Sequence, residues 1–556
     1  MPQPIPIRFT LIDYSYGETV VLGNAPDGWA DCLIKWGRNE KYYGLMRSFS
    51  VPLKFVKDGM DTLKNSFYRY GVEANVDLKI EVTYMGSTNT WQYYTWYQGK
   101  VDFSTYKDQL EWVEVNLLEG GLSQLFKNNE DVEYELKMAD ITNVVWKNFY
   151  WEVNSNPDPD PGGHPVPPNP DEDPIPTGSN MYGVTVFQFA KYLLDKVTDG
   201  KILDSTYAFK SDFLSDLDYG IFTHPADGTY FPIMTTGKGL RGTAGVFKTT
   251  FSDFFKSFDS IYNLGLGIET IAGVETLVIE PKAYFFSTDA IATFNNAKNL
   301  KISPAKQFIF NSLKAGYGNS NIKDYRDLAT GEGFECNVEV NFSMPVKSIK
   351  NELDISCPYL ADYYSINQIL SLGGAVSDDT SSDDNIYIIM LVVTGGVNML
   401  ECGRLFNVNF YSPNGWGNLD LSPRRNIERH ADFLNSCCDR LAGLDIEFLS
   451  SEKNNSTCDT WPDVANHSLS WQFEYEPLEV ADTPKLFKPY IIEFDTPVLE
   501  DMATLMQTLG KGVVTVNYDD VVLKGFVMDI GSSPIDSKDM TVKILCSPDT
   551  DLTLLL

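Results

Sequence analysis

Two stretches near opposite ends of the chain share one order of hydrophobic and polar positions. Each begins with a short alternating strand, and the apolar positions of these strands are Leu53 and Phe55 in one stretch and Ile492 and Phe494 in the other. An apolar spacing of i, i+3, i+4 and i+7 then predicts an amphipathic helix. Its apolar positions are Met60, Leu63 and Phe67 in one stretch, and Met502, Leu505, Met506 and Leu509 in the other.

After the helix, both stretches continue in the same way. A glycine, Gly71 in one and Gly510 or Gly512 in the other, can end the helix in a left-handed conformation. Three alternating segments follow, and the middle one carries a Gly-x-Val sequence: Gly99 with Val101, and Gly525 with Val527. The order strand, helix and three strands predicts two related β-rich units, at 51–118 and 490–546.

Changes in composition along the 556 residues predict five parts. They are an N-terminal β unit (1–154), a Pro/Asp-rich linker or exposed loop (155–180), an α+β domain (181–300), a β-rich domain with helical insertions (301–488) and the C-terminal unit (489–556). Within them, the periodicity predicts helices after Thr185, after Thr250 and from Ser422 to about Leu441, and a buried strand at Ile386–Val393. The fold class predicted is α+β, β-rich and multi-domain.

The net charge of −32 is the strongest compositional signal. Such a surface repels phosphate backbones and anionic membranes, so specific nucleic-acid binding is not expected. The longest apolar run has eight residues, Ile386–Val393, which is too short to span a membrane. The N-terminus shows no basic region followed by an apolar segment, so we predict no signal peptide and reduced cysteines in a protein made in the cytoplasm.

Few residues suggest chemistry. Residues 237–242 match G-x-G-x-x-G, but no parallel β-α-β pattern surrounds them, so a turn is predicted and not a cofactor site. The four histidines have no neighbours at metal-ligand spacing, and no metal, cofactor or catalytic residue is predicted. Trp91, Tyr93 and Trp96 could stack on sugars or form an interface, with Trp91 and Tyr93 on one strand face and Trp96 on the other.

The two terminal units and the α+β middle together resemble a tail-tip protein of tailed bacteriophages, of the baseplate-hub or tail-associated type. Residues 249–281, a helix followed by a hairpin, and the MTTGKGLRG turn at 234–242 add to the resemblance. It implies two β-barrel or sandwich units like those of the tail tube, each with a short helix. It also implies a homotrimer, or alternatively a hexamer, whose ring surrounds the DNA exit channel without binding DNA.

The resemblance assigns partners and a location. The chain would sit in the virion at the tail tip, contact the tail tube and other tip proteins, take part in host attachment and genome ejection, and possess no enzymatic activity. Eight apolar residues become candidates for the ring interface: Phe55, Met60, Leu63, Val101, Phe494, Met502, Leu505 and Val527. Two alternatives remain: a distal tail or adaptor protein that anchors receptor-binding proteins through 301–488, and a carbohydrate-binding or glycan-hydrolysing module built on the aromatics at 91–97.

Overall fold

The fold was analysed in a computed structural model. The structure describes residues 7–29, 34–49, 52–85, 91–119, 122–141, 149–152, 180–219, 222–224, 228–272, 274–317, 325–326, 333–334, 339–343, 348–361, 366, 369, 382–394, 397–401, 421, 423–437, 447–448, 478–479, 483–497, 511–532 and 540–552. Among the helices of these residues, none combines the length and apolar character needed to cross a bilayer.

The N-terminal region is a six-stranded sheet with one helix packed against it. Its elements are β1 (Ile7–Asp13), β2 (Glu18–Val21), β3 (Ile34–Arg38), β4 (Leu45–Phe49), β5 (Leu53–Phe55), α1 (Lys57–Tyr70), β6 (Val76–Met85), β7 (Trp91–Asp108) and β8 (Val113–Glu119). The strand order is β2-β1-β6-β7-β8-β5. We call this sheet together with α1 the N-terminal unit. Strands β3 and β4 are not part of it, because β3 pairs with β4 and with a strand of the C-terminal sheet.

Helix α1 follows the predicted pattern. Leu63 is fully buried, and Met60 and Phe67 pack partly buried against a core of strand residues. The helix ends at Gly71, whose φ of 64° lies in the left-handed region that glycine adopts without a Cβ penalty. The sheet then curls until its ends meet, because Asp27, six residues after β2, exchanges two backbone hydrogen bonds of 2.8 and 2.9 Å with Lys54 of β5.

The middle region combines helices with strands of three sheets, which have seven, three and two strands. Its elements are α2 (Leu122–Asn129), β9 (Tyr134–Lys137), β10 (Phe149–Glu152), β11 (Asn180–Met181), β12 (Val184–Thr185), α3 (Val186–Val197), β13 (Ala208–Lys210), α4 (Asp212–Tyr219), β14 (Phe222–His224), β15 (Gly228–Thr236), α5 (Gly237–Leu240), β16 (Val246–Thr249), α6 (Phe251–Tyr262), β17 (Leu264–Ile271), β18 (Val274–Pro281) and α7 (Lys282–Phe285). The phenylalanine-rich face of α6 and the apolar face of α3 form its core.

The predicted helices α3 and α6 form at the expected residues. Thr250 caps α6, since its hydroxyl accepts a 3.0 Å hydrogen bond from the Asp253 amide. Thr185 precedes α3 as predicted, but the Asp218 carboxylate accepts the Phe187 amide at 3.1 Å. Burial raises the pKa of Asp218 to about 6, although the amides at the start of α3 act in the opposite direction.

The remaining elements complete the chain. They are β19 (Ala290–Phe294), β20 (Lys298–Pro304), β21 (Ser312–Gly316), β22 (Tyr325–Arg326), β23 (Gly333–Phe334), β24 (Glu339–Ser343), β25 (Glu352–Ser356), β26 (Ile386–Thr394), β27 (Val397–Glu401), α8 (Pro423–Arg429), α9 (Ala431–Cys437), β28 (Glu447–Phe448), β29 (Leu478–Glu479), β30 (Tyr490–Thr496), β31 (Val513–Tyr518), β32 (Val521–Ser532) and β33 (Met540–Cys546).

The C-terminal sheet closes in a similar way. Its order is β19-β31-β32-β33-β30-β20, so β19 and β20 are its two outermost strands. Only residues 295–297 connect those two strands, and so short a connection spans at most about 14 Å. The sheet therefore curls into a barrel-like unit around Val514, Val516 and Val542, which are fully buried. We call these six strands the C-terminal unit.

The two units contain the same four-strand arrangement. The order β6-β7-β8-β5 in the N-terminal unit matches β31-β32-β33-β30 in the C-terminal unit. The glycines of the two Gly-x-Val sequences occupy equivalent rungs: Leu78 and Glu119 flank Gly99, while Val514 and Cys546 flank Gly525. The first of these strands along the chain pairs with the last in both units: β5 with β8, and β30 with β33. The predicted repeat in strand order is thus observed; the second predicted helix lies outside the described residues.

The α+β, β-rich, multi-domain fold class is confirmed, with local exceptions. A 3-10 turn occupies Lys306–Phe308, and strand β21 follows it at Ser312–Gly316. The helix predicted from Ser422 to Leu441 is interrupted at His430 between α8 and α9. The predicted strand at Ile386–Val393 is β26. The Pro/Asp-rich segment lies outside the described residues except for its end, yet β10 and β11 pair on either side of it, so the chain returns to the sheet that it left.

Candidate assembly interface

Five of the predicted interface side chains lie inside the cores of the two units. Phe55, Leu63, Val101, Phe494 and Val527 are all at most 1% exposed. Met60 is half-buried against the N-terminal core, and Met502 and Leu505 lie outside the described residues. A side chain enclosed by its own subunit does not touch a neighbouring subunit. In a ring, these residues would therefore hold the strand edges in place from inside the subunit. Direct contact with a neighbouring subunit requires exposed side chains.

The hairpin β3–β4 joins the N-terminal region to the C-terminal unit. β3 pairs antiparallel with the second half of β32, from Ile34 opposite Ser532 to Gly37 opposite Asp529. The pairing begins directly after a β-bulge in β32 between Val527 and Asp529. A bulge bends its strand and increases the local twist, which separates the edge that serves β31 from the edge that serves β3.

Arg38, at the end of β3, fixes this junction. Its Nε donates to the Val527 carbonyl at 3.0 Å, and its Nη1 donates to the carbonyls of Tyr43 and Phe285. The guanidinium lies 4.9 Å from the ring centroid of Phe286. Burial lowers the pKa of Arg38 to about 9, so it remains a cation at neutral pH. One charged group therefore links the hairpin, β32 and α7.

A glycine makes the second junction, between the hairpin and the middle region. The Gly44 amide donates to the Leu266 carbonyl at 3.1 Å, and the Leu266 amide donates to the Tyr42 carbonyl at 2.7 Å. A Cβ on Gly44 would lie 2.2 Å from the Leu266 oxygen, so only glycine permits this approach. The local sequence around Gly44 gives no sign of this contact.

The buried ionisable groups of the middle region form a closed packing cluster. Lys282 is 1% exposed, and its Nζ lies 2.7 Å from Asp259 Oδ1 and 4.5 Å from the Tyr43 ring centroid. His430 is fully buried, and its Nδ1 donates to the Asn426 carbonyl at 2.8 Å. Burial, helped by the Lys282 charge, holds the pKa of His430 well below its usual value. Groups so enclosed stabilise packing, and no substrate reaches His430.

The G-x-G-x-x-G sequence forms the short helix α5 directly after β15, where only a turn was predicted. The Gly237 and Lys238 amides donate to the carbonyls of Asn385 and Asp383 at 3.0 and 3.2 Å, and Arg241 pairs with the Asp383 carboxylate. The amides that would bind a phosphate thus bind the chain's own backbone. Across the described residues, no group of three His, Cys, Asp or Glu side chains is arranged to hold a metal ion.

The aromatic stretch at 91–97 lies at the start of β7. Ile80 pairs with Tyr97 and Glu81 with Thr95, so Trp96 is the extra residue of a β-bulge. The bulge interrupts the strand alternation at Trp96, and the assignment of Trp91, Tyr93 and Trp96 to strand faces stays a prediction. Tyr93 is partly exposed with the Arg8 guanidinium 4.2 Å from its ring centroid. The side chains of Trp91 and Trp96 are outside the described part.

Exposed apolar side chains gather around the C-terminal half of α1. They are between 41% and 84% exposed and comprise Tyr14, Tyr16, Tyr68, Tyr70, Val72 and Leu110, which we call the tyrosine patch. The Arg69 guanidinium lies 4.4 Å from the Tyr16 ring centroid, and the Tyr68 hydroxyl donates to Asp108 at 3.0 Å. These contacts connect the patch across the β1–β2 and β7–β8 turns. The sequence pattern did not reveal the tyrosine patch, because the two turns come together only in the folded sheet.

Comparison with known proteins identified similar structures but no sequence relatives. No family model and no curated protein matches the sequence. A tail protein from Neisseria meningitidis MC58 aligns over 98% of this chain and 97% of its own, with a TM-score of 0.36 and 8% identity. The 43 kDa tail protein of prophage MuSo2 from Shewanella oneidensis aligns over 98% and 99%, with a TM-score of 0.36 and 9% identity.

A chain of the phage P2 baseplate in its activated conformation aligns over 98% of this chain and all 100% of its own, with a TM-score of 0.22 and 9% identity. These three solved structures are tail and baseplate proteins.

Proposed function

We propose that this chain is a structural subunit of a phage tail tip, a baseplate hub that acts by assembly. The observation that carries the proposal is the repeated four-strand arrangement with the same register around Gly99 and Gly525. Two like units in one chain allow three chains to present six units in a ring. A trimer can then match a sixfold tube, because each unit stands where one tube subunit would stand.

The contact between hairpin β3–β4 and β32 supports the ring. It joins the two units of one chain through strand pairing and through the buried Arg38. In a ring of alternating units, every second contact is of this kind and lies within one chain. The remaining contacts join successive chains, so the ring closes with only three intermolecular interfaces.

The distribution of charge supports a channel that DNA crosses without adhering. Residues 1–119 carry twelve Lys and Arg against fifteen Asp and Glu, while the rest of the chain carries 32 against 61. An acidic wall repels phosphates at short range. The hub would sit in the virion between the tail tube and the tip, with the region between β20 and β30 available to receptor-binding components. Cofactors and catalysis have no part in this role.

Mass photometry and negative-stain images of the full chain, alone and mixed with the tail tube of its phage, test the proposal. A trimeric ring with a central hole is the expected result. A hexameric ring would instead favour the distal tail or adaptor protein. A persistent monomer that neither joins the tube nor forms a ring would contradict both, and glycan binding by that monomer would favour the carbohydrate-binding alternative.

A further inference from the structure

A buried lysine joins three parts of the chain that are far apart in sequence. The Lys282 ammonium, at the start of α7, lies 4.5 Å from the ring centroid of Tyr43 and 4.6 Å from that of Phe433. Tyr43 belongs to the turn between β3 and β4, and Phe433 belongs to α9. The counter-ion is Asp259 of α6, with 2.7 Å between Nζ and Oδ1. One cation therefore holds the hairpin, the middle region and α9 together.

Helices α8 and α9 connect this cluster to the C-terminal unit. Their apolar side chains share one hydrophobic core with strands β32 and β33, and each is at most 1% exposed: Ile427, Phe433 and Leu434 pack with Phe526 and Leu545. A displacement of the two helices would therefore disturb the packing of the C-terminal unit against the middle region.

His430 lies at the break between α8 and α9 and is fully buried. A carbonyl oxygen only accepts, so Nδ1, which lies 2.8 Å from the Asn426 carbonyl, carries the proton of the neutral ring. Nε2 then carries the lone pair. It lies 3.9 Å from Asp259 Oδ1 and has no hydrogen-bond partner within the described residues. In acid, the incoming proton would be added to Nε2.

The charged groups of this cluster come from four elements. Lys282 of α7 and Arg429 of α8 are cations, and both act against a charge on His430. Asp259 of α6 and Asp432 of α9 are carboxylates. Asp259 is already paired with Lys282, and Asp432 accepts hydrogen bonds from a side-chain amide and a backbone amide. A protonated imidazole would therefore meet two cations and no unoccupied carboxylate.

The direction of the pH dependence follows from these surroundings. Burial first, and the Lys282 charge after it, hold the pKa of His430 well below its usual value, although two backbone carbonyls act in the opposite direction. Stability is therefore lost as the pH falls below the unfolded value, near 6.5. Burial raises the pKa of Asp259 and of Asp432, so proton uptake by these carboxylates favours the folded state and opposes that loss. Burial also keeps the pKa of Tyr43 well above its usual value, and its phenol stays neutral.

We propose that Lys282 and His430 form an acid-sensitive latch between the middle region and the C-terminal unit. At neutral pH, the Lys282 ammonium holds the Asp259 carboxylate and the two aromatic rings, and the uncharged imidazole packs beside them. A proton on Nε2 adds a second buried cation where the nearest carboxylate is already paired. The cluster relieves this repulsion by opening, and α8 and α9 then release the C-terminal unit from the middle region. The latch does not depend on the proposed ring.

Hydrogen–deuterium exchange of the full chain at pH 7.5 and pH 5.5, corrected for the intrinsic exchange rate at each pH, tests the latch. Only the open state binds the proton with a pKa near 6.5, so opening should become about tenfold easier over this range. The amides of α8, α9 and the end of α6 should lose protection by that factor. Strands β6, β7 and β8 of the N-terminal unit should not, and they serve as the internal reference.

His430→Gln removes the titrating group and keeps a neutral side chain with a donor for the Asn426 carbonyl. The tenfold change should vanish in this variant. His224→Gln, in strand β14, is the matched control and should retain the change. An unaltered pH effect in His430→Gln would assign the effect to other groups and overturn the latch. A wild-type chain whose α8 and α9 are equally protected at both pH values would overturn it as well.

Lys282→Met gives a second readout that does not require His430→Gln to fold. The substitution frees Asp259 to accept the proton of Nε2 as a hydrogen bond, or to take up a proton itself. Acid should therefore no longer loosen α8 and α9 in this variant. If the wild-type pH effect persists at full size without Lys282, the two side chains do not act together and the proposal is wrong.

Discussion

The N-terminal and C-terminal units share four strands in one order and one register, yet they are completed differently. In the N-terminal unit, β1 lies antiparallel to β6, and a single bridge at Asp27 covers β5. In the C-terminal unit, β19 lies parallel to β31, and the full strand β20 covers β30. The common four strands are those in which apolar alternation is strongest, whereas the flanking strands come from distant parts of the chain.

The second difference concerns what enters each unit. The C-terminal unit incorporates β3 beside the end of β32, while among the described residues β7 pairs only with β6 and β8, both strands of its own unit. The comparison teaches that a repeated fold need not have repeated edges.

Arg38→Met should have the largest effect, because it removes the group that links the β3–β4 hairpin to β32 and α7. The substitution leaves the carbonyls of Val527, Tyr43 and Phe285 without their buried donor. Loss of charge-assisted hydrogen bonds at a buried site should lower the free energy of unfolding by about 3 kcal/mol. Urea unfolding followed by tryptophan fluorescence measures this loss.

The matched control for this prediction is Arg8→Met. Arg8 also pairs with a neighbouring strand, through Glu81, but it is partly exposed and lies within one unit. We expect about 1 kcal/mol or less. Equal effects of the two substitutions would show that Arg38 contributes no more than an ordinary sheet ion pair, and the description of a charged link between units would have to be abandoned.

The elements that the sequence predicted well are those with strong local periodicity. Helix α3, predicted after Thr185, buries six apolar side chains at helical spacing: Val186, Phe189, Ala190, Leu193, Leu194 and Val197. Strand β26 appears where eight apolar residues run together. Local pattern decides such elements before tertiary contacts form. The break at His430 was not predicted, since it depends on the packing of that side chain beneath α6 and α7.

The predicted interface residues show the limit of the same reasoning. Phe55 and Val527 were chosen because each is apolar and has a counterpart in the other unit, Phe494 and Val101. Periodicity shows which side of a strand faces a hydrophobic core. It does not show whether that core lies inside the subunit or at an interface between subunits. The pairing of β3 with β32 joins residues almost 500 positions apart, and the tyrosine patch is assembled from two turns and a helix end. No local signal encodes either feature.

Substitution of one ion-paired carboxylate in each unit should sharpen the comparison. Glu81 lies between Arg8 and Lys79, and Glu493 lies between Lys301 and Lys543. Burial acts to raise the pKa of Glu81, but hydrogen bonds from Lys79 and Arg8 outweigh it and the pKa is lowered. Glu493 is more exposed, and its pKa is lowered chiefly by the hydrogen bond from Lys301.

Glu81→Gln should therefore cost about 1–2 kcal/mol at pH 7, and Glu493→Gln only about 0.3 kcal/mol. A lowered folded pKa gives stability that is present above the unfolded value, near 4.5, and is lost as the pH falls through the folded pKa. The difference between wild type and Glu81→Gln should shrink below pH 4.5 in thermal melts. A constant difference from pH 7 to pH 3 would contradict the charge-based origin.

A small effect is expected in a turn that distinguishes the two units. Only Asp519 and Asp520 connect β31 to β32, whereas five residues, 86–90, lie between β6 and β7. Asp519 has a φ of +49°, in the left-handed region, and Asp520 does not. Asp519→Gly relieves the strain and should raise stability by about 0.5 kcal/mol, while Asp520→Gly adds only unfolded-state freedom and should lower it by a similar amount.

Opposite signs in paired thermal melts would show that the tight turn holds the register of the C-terminal unit through backbone conformation. Equal signs would mean instead that loss of negative charge from the Asp pair dominates, because both substitutions remove one carboxylate.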